Sequence, residues 1–297
     1  MKILLTGATG FLGRFIVNEL HTDHIVSSLS RSSGNYKVSL ENEIPYFNKK
    51  FDLVIHAAGK AHSVPKTAFE KQQFYDINVL GTRNLLKGIE KIGVPKQFVF
   101  ISSVAVYGKE SGENINEEFP LLAKDVYGLS KIEAEKIVIE WCFKHNVDCT
   151  ILRLPLLVGK NPPGNLGDML RAIDKGYYFN IGRGKARKSM VLAKDVASFI
   201  SVVAPEGGVY NLTDGFHPNF NELSMALSKK RKQFFNLPLS LAKFMGYIGD
   251  LLGEKAPINS LKVKKITSDL TFDDAKARKV LNWNPTSVLE YLKKNTI

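Results

Sequence analysis

The sequence predicts an α/β fold: a doubly wound parallel sheet with a smaller C-terminal, substrate-binding portion. Three observations lead there. Short apolar runs alternate with longer stretches of helical period, a glycine-rich loop follows the first run directly, and the alternation loosens into Pro/Gly-rich loops after about Pro155.

The strand-like runs are Lys2 to Leu5, His24 to Leu29, Leu53 to His56, Gln97 to Ser102 and Thr150 to Leu154. Helical periodicity covers roughly Phe11 to Leu20, Ala68 to Ile92 and Tyr127 to His145. Such alternation marks a parallel sheet wrapped by helices. Residues 1–155 are therefore expected to form the sheet domain and 156–297 mainly the smaller portion. The chain is expected to return to the first domain near 190–213, because Asp195 to Val203 reads as a helix and Gly208 to Leu212 as a strand. The stretch from Leu237 to Leu252 is amphipathic and carries Phe244, Met245, Tyr247 and Ile248. It reads as a helix closing over a cleft or packing on the core, rather than as an interfacial membrane helix.

Composition excludes several classes. No run of eighteen apolar residues exists, so no membrane span is expected, and Met1-Lys2 leads straight into Ile3-Leu4-Leu5 without a signal peptide's layout. A cytoplasmic location is the expectation. The two cysteines, Cys142 and Cys149, give neither a disulfide framework nor metal-ligand spacing, so no metal is expected. The formal net charge of +12 is concentrated late in the chain, at Lys229-Lys230-Arg231-Lys232 and Lys262 to Lys265. Runs of this kind read as a solvated face, and nucleic acid is not an expected partner.

Gly7-Ala8-Thr9-Gly10-Phe11-Leu12-Gly13 joins the first strand to the first helix. Glycine there permits a tight turn, close backbone approach to a pyrophosphate, and tight packing of helix on strand. Backbone N–H groups and the positive helix end then hold a diphosphate. Cofactor contacts are accordingly assigned to Gly7, Thr9, Gly10, Phe11, Leu12 and Gly13. The second strand ends Ser28-Leu29-Ser30-Arg31-Ser32-Ser33, with no carboxylate to accept bonds from an adenosine ribose. Arg31 can pair with a 2′-phosphate, so NADP(H) is favoured and NAD(H) remains possible. Ala57, Ala58 and Gly59, small residues at a strand's end, read as cofactor wall, and His56 before them as a packing histidine.

Tyr127-Gly128-Leu129-Ser130-Lys131 sets a phenol and an ammonium one helical turn apart. A nearby ammonium favours the phenolate, lowering the tyrosine pKa from ~10 toward neutrality so that it can exchange a proton. The strand before it ends Phe100-Ile101-Ser102-Ser103. A serine at the mouth of a parallel sheet can hydrogen-bond the oxygen on the reacting carbon.

On these stretches the chain resembles an extended short-chain dehydrogenase/reductase of the nucleotide-sugar epimerase, dehydratase and reductase group, with a Rossmann dinucleotide-binding domain. The likeness covers nearly the whole length: Thr6 to Gly13, Asp52 to Gly59, Asn78 to Leu86, Ser102 to Gly108, Tyr127 to Lys131, Leu152 to Pro155, Asp195-Val196-Ala197 and Leu281 to Pro285. It implies that Ser103 is the catalytic serine, Tyr127 the acid/base and Lys131 its partner, with Tyr127 and Lys131 also on the cofactor. Asn78 is implied to support the lysine and cofactor side, without direct proton transfer. Asn165 and Leu166 are implied to meet a nucleotide diphosphate, with Arg187 or Lys188 as its cationic clamp; the family more often has a single arginine where Lys188 stands. The implied partners are a nucleotide-sugar, with UDP as the expected nucleotide, and a second copy docked through the helices over Ala68–Ile92 and Tyr127–His145.

The implied reaction is hydride transfer at the sugar C4, as a 4-epimerase or a 4-keto-sugar reductase. Leu156 stands where epimerases commonly carry asparagine, and Leu152 to Gly159 with His56 to Val64 look more like reductases of UDP-linked 4-keto-6-deoxy sugars. Dehydratases of the group carry Asp-Glu directly after the catalytic Ser or Thr, where this chain has Val104 and Ala105. A different class of reading is a dinucleotide-sensing scaffold that binds RNA or a partner without turnover. Such a protein has no need of Ser103, Tyr127 and Lys131 together.

Overall fold

The computed structural model describes residues 1–61, 65–228, 233–253, 259–295 and 297. The basic run Lys229 to Lys232 lies outside them. Seven parallel strands form the central sheet: β1 (Lys2–Thr6), β2 (Ile25–Ser30), β3 (Tyr36–Lys37), β4 (Leu53–His56), β5 (Gln97–Ser103), β7 (Asp148–Leu154) and β11 (Gly208–Asn211). Their order is β11-β7-β5-β4-β1-β2-β3, so the chain winds outward from β1 in one direction and then, from β4, in the other. This is the doubly wound Rossmann arrangement, and β11 is the expected returning strand, paired with β7.

Ile3, Leu4, Leu5, Leu53, Val54 and Ile55 are fully buried, as strands covered on both faces require. One face packs on α1 (Phe11–Leu20) and α6 (Ala193–Val203), through Leu12, Ile16, Val196 and Ile200. The other packs on α3 (Gly81–Ile92) and α4 (Val126–His145), through Leu85, Ile89, Val138 and Trp141. The helical stretch over 68–92 is not one regular helix. It starts at a Thr67/Glu70 capping box, runs as α2 (Ala68–Tyr75), widens into a π-helical turn over Asp76–Leu80 and continues as α3. A π turn inserts one extra residue, which rotates the side chains that follow relative to a straight α-helix. Here that turn contains the buried Asn78.

Around the sheet's edge lie three two-stranded parallel pairs: β6 (Gly112–Ile115) with β13 (Leu270–Phe272), β8 (Leu156–Val158) with β10 (Met190–Leu192), and β9 (Asn180–Ile181) with β12 (Asn236–Leu237). The second pair shares a small core with α5 (Gly164–Asp174), α7 (Phe220–Leu227) and α11 (Val288–Lys294). The third carries α8 (Leu239–Leu252) and α9 (Ser260–Thr267). Here the sequence expectation is corrected. α8 buries Ala242, Gly246 and Gly249 and leaves Phe244, Tyr247 and Ile248 exposed, so its bulky side chains are not packed on the core.

One buried ion pair ties α4 to the sheet. Arg153 on β7 reaches Glu135 on α4 with two nitrogens, Nε to Oε1 at 3.2 Å and Nη2 to Oε2 at 2.8 Å. Ser102 also donates to Glu135, and Arg153 Nη1 donates to the Tyr107 hydroxyl at 3.2 Å. Removing one partner of such a pair leaves an uncompensated charge in a dry interior. Arg153→Met is expected to cost about 3–5 kcal/mol in urea unfolding. Arg83→Ala, which breaks the exposed pair with Glu133, should cost under about 1 kcal/mol. Equal midpoints for the two variants would show that the buried pair does not anchor α4.

Candidate active site

The strand order reverses between β1 and β4, and the loops leaving these two strands meet there. Gly7, with φ +72°, sits so close to the next loop that a Cβ on it would lie 2.7 Å from Ala57 C and from Ala58 N. Its N–H donates to Leu29 O at 3.2 Å, which brings the end of β2, and Arg31 after it, beside the glycine loop. A Cβ on Gly13 would collide with the Gly7 carbonyl, so α1 packs directly on the turn. α1 starts at Gly10 with no side-chain cap and no acidic residue in its first turn. Its free N–H groups and positive end therefore fit the diphosphate of a dinucleotide.

The sequence-selected residues divide by what they expose. Thr9 and Gly10 are exposed at the loop tip. The Leu12 side chain belongs to the core, so only its backbone can face a ligand. Phe11 stacks edge-on against Phe15, 5.5 Å between centroids. Arg31 is 72% exposed and lies 3.9 Å from Glu41, a carboxylate ten residues on that the reading of the second strand missed. The Ser30 hydroxyl is already committed, donating to Ser33 O at 2.6 Å.

Behind the loop runs a buried relay. Ala58 N–H donates to Thr6 Oγ1 at 3.1 Å, and Thr6 Oγ1 lies 2.7 Å from His56 Nδ1. His56 Nε2 lies 2.9 Å from Thr82 Oγ1, whose proton goes to Asn78 O at 2.6 Å. Since Thr82 spends its proton on Asn78, it can only accept from His56, which assigns the imidazole proton to Nε2 and leaves Nδ1 to accept from Thr6. Burial, helped by the Lys131 charge, pushes the His56 pKa down to about 3, so the ring is neutral. It is a packing histidine that also fixes the wall of the crevice.

Asn78 continues the chain with its side chain. Its Oδ1 accepts from Lys60 N at 2.7 Å, and its Nδ2 donates to Lys60 O at 3.1 Å and to Ser130 Oγ at 2.8 Å. Ser130 in turn donates to Tyr127 O at 2.7 Å. Asn78 thus locks the loop after β4 onto α4. A Cβ on Gly59 would stand 3.1 Å from Asn78 Oδ1 and 3.5 Å from Lys131 Nζ, so a side chain here would crowd both buried groups. Neither Ser130 nor the π turn carried a signal in the sequence.

Lys131 is buried, its Nζ donating to Ile101 O at 2.8 Å and standing 4.5 Å over the Phe100 ring. Burial brings its pKa down to about 8, against the upward pull of Glu135 one turn along the helix. Ser103, the last residue of β5, accepts from Ala105 N at 3.2 Å, and its hydroxyl lies on the Tyr127 side, where it acts to lower the phenol pKa. The expected lowering of the Tyr127 pKa is not what this arrangement produces. Burial raises it, the Ser103 hydrogen bond opposes the rise, and Asp125 adds to it. The ammonium is turned to the Ile101 carbonyl instead of the phenol.

The remaining candidates lie on the C-terminal elements. Asn165 is exposed in the first turn of α5, and Leu166 beside it is buried in that unit's core. Arg187 is exposed, and its Nε donates to His217 O at 3.4 Å. Lys188 Nζ donates to Lys265 O and Ser268 O, both at 2.9 Å, at the C-terminal end of α9. Of the two proposed clamp residues, Arg187 is the one whose charge is not held by a helix end.

Fold and crevice define a dinucleotide-binding Rossmann protein. The chain belongs to the NAD dependent epimerase/dehydratase family, whose model matches residues 3–213. It is 31% identical, over 93% of its length and 88% of the relative's, to N-acetyl-alpha-D-glucosaminyl-diphospho-ditrans,octacis-undecaprenol 4-epimerase of Escherichia coli O157:H7. It is 30% identical to UDP-glucose 4-epimerase of Vibrio cholerae, over 97% of this chain and 92% of that one. The solved structure of MoeE5 in complex with UDP-glucose and NAD superposes with a TM-score of 0.77, covering 98% of this chain and 96% of that one at 20% identity. Other matches include a reductase, a 4,6-dehydratase and a structure holding NADPH. Among the described residues no cluster of His, Cys, Asp and Glu suits a metal, and no helix is long and apolar enough to cross a membrane.

The relay makes a pH prediction. His56 has a folded pKa of about 3 against 6.5 for the free side chain. Between these values the unfolded chain binds the extra proton, so this stabilisation is full above the unfolded pKa and is lost as pH falls. Lowering pH from ~7 to ~5 should remove about 2 kcal/mol through this group, and His56→Gln should show that much less pH dependence in urea midpoints. An unchanged pH dependence in the variant would show that His56 titrates normally.

Proposed function

We propose that the protein is an NAD(P)-dependent enzyme acting at C4 of a nucleotide-linked sugar, as a 4-epimerase or 4-keto-sugar reductase, with a UDP-sugar as substrate. The observation that carries this is the meeting of Ser103, Tyr127 and Lys131 at the ends of β5 and α4, beside a glycine loop that fits a dinucleotide. A bound nicotinamide supplies or accepts the hydride. The remaining roles fall to side chains. Tyr127 moves the proton on the C4 oxygen, and Ser103 hydrogen-bonds that oxygen and the phenol together. Lys131 holds a nicotinamide ribose, which gives its ammonium a hydrogen-bond partner facing the crevice and places positive charge near the phenol. Arg187 and the first turn of α5 at Asn165 meet the substrate diphosphate.

Val104 and Ala105 follow Ser103 as a short 3₁₀ turn and offer no group to eliminate water, so the reading excludes 4,6-dehydration. A homodimer through α2, α3 and α4 is supported by Phe69, Tyr75, Ile139 and Phe143, which these helices leave exposed. A second reading of the sugar carrier is a polyprenyl diphosphate. It is favoured by the exposed apolar side chains of α8 and by the substrate in the name of the Escherichia coli relative. The deciding experiment offers UDP-, dTDP- and GDP-sugars, their 4-keto forms and a polyprenyl-diphosphate-linked sugar, and follows NADPH absorbance and product stereochemistry. Conversion at C4 supports the proposal; a 4-keto-6-deoxy product, or no conversion of any member, contradicts it.

Two variants test the roles. Tyr127→Phe should lower turnover by roughly 10²- to 10⁴-fold with cofactor affinity nearly intact, while Lys131→Met weakens both; more than half of wild-type turnover in Tyr127→Phe would remove the acid/base assignment. For the cofactor, Arg31 has only to exchange a long, exposed contact with Glu41 for a phosphate. NADP(H) should bind at least about tenfold more tightly than NAD(H) by calorimetry, and Arg31→Asp should reverse the order. Equal affinities for the wild type would show that Arg31 does not reach the 2′-phosphate.

A further inference from the structure

α8 is built inside out for a helix at the edge of a folded chain. Its buried stripe is Ala242, Gly246 and Gly249, and a Cβ on Gly246 would come within 3.1 Å of the Ser260 backbone and of Val263 on α9. The small residues let the two helices close together. The large ones are left outside: Leu241, Phe244, Tyr247, Ile248, Leu251 and Leu252 are from 40% to 74% exposed. At 3.6 residues per turn they follow one another over an arc of about 140°. Leu261 on α9 and Phe235 before β12 extend the same character, at 51% and 69% exposed.

The sequence around this helix is basic. From Ser228 to Thr267 the sequence holds nine Lys or Arg against two Asp or Glu, so this stretch carries +7 of the chain's +12. Within the described part, Lys243 stands on α8 beside the buried stripe, near Asp250, which accepts from Ser260 N, and α9 carries Lys262, Lys264 and Lys265, the last paired with Glu110 at 2.9 Å. An apolar arc flanked by lysines is the pattern that lies flat in a membrane interface, where burial of bulky side chains and attraction to anionic headgroups add.

We infer that the apolar face of α8, with its flanking lysines, docks this protein on the surface of an anionic lipid bilayer. The face also connects to the substrate side of the molecule. β12, which leads into α8, pairs with β9, and Lys188 Nζ holds the end of α9, next in sequence to Arg187. The candidate diphosphate clamp is thus linked through α9 to the docking helix. This inference does not depend on the reaction or on the sugar carrier, because its test involves no substrate.

The test sediments the full chain with vesicles of equal parts phosphatidylglycerol and phosphatidylcholine, and with phosphatidylcholine alone. The wild type should pellet with the anionic vesicles, less with the neutral ones, and less as salt is raised. F244S/L251S should lower the partition coefficient by at least about tenfold, since two bulky side chains no longer enter the interface. Its urea midpoint should stay at the wild-type value, because both positions are exposed. Lys243→Glu with Lys264→Glu, which leaves the apolar arc intact, should weaken binding to anionic vesicles and leave binding to neutral ones unchanged. The inference is overturned if the wild type stays in the supernatant, or if wild type and F244S/L251S partition alike. It is equally overturned if the chain elutes as a dimer that F244S/L251S splits, since a second copy would then cover α8.

Discussion

The buried imidazole of His56 is the constraint on which the crevice depends. Held neutral between Thr6 and Thr82, it connects the end of β1, the loop after β4 and the π turn in one hydrogen-bonded line. Each group in that line spends its proton on the next, so the direction of every bond is set by its neighbour. A charged His56 would present two donors, and the acceptor for Thr6 would be lost. The shape of the loop after β4 and the position of Asn78 therefore rest on one ring staying unprotonated.

From Asn78 the same order passes to the proposed reacting groups. Asn78 fixes Ser130, Ser130 fixes the Tyr127 backbone, and α4 is held from its other side by Glu135 against Arg153 and Ser102. The result is a lysine with a pKa near 8 and a tyrosine raised by burial, close to one another on one helix but not paired. A ligand hydroxyl that takes the Lys131 ammonium from Ile101 O changes the field at the phenol, because in a poorly hydrated site charge acts strongly over short distances.

Much of this was legible in the sequence. The strands and the helices Phe11–Leu20 and Val126–His145 showed in the pattern because buried parallel strands and two-faced helices demand it. Gly7 and Gly13 were legible because close backbone approach dictates their residue type, while Ser103, Tyr127 and Lys131 came as a candidate set from the family likeness. What sequence could not show depends on long-range packing. The π turn has no composition of its own, Glu41 meets Arg31 only through the fold, and the two carbonyls that occupy Lys188 are 77 and 80 residues away. For α8 only the burial of its bulky side chains failed, for a related reason. A hydrophobic pattern reveals an apolar face but not whether the protein itself covers it, and here glycine and alanine make the internal contact.

The account places hydride transfer at the sugar C4, with the proton moved separately by Tyr127. The most direct measurement uses a UDP-sugar deuterated at C4, turned over by the full chain in ordinary water, with product and cofactor analysed by NMR. The account predicts that the deuterium travels as hydride, appearing at C4 of the epimer or on the nicotinamide, and none in water. Loss of the C4 deuterium to solvent, or turnover that leaves the C4 bond untouched, would contradict it.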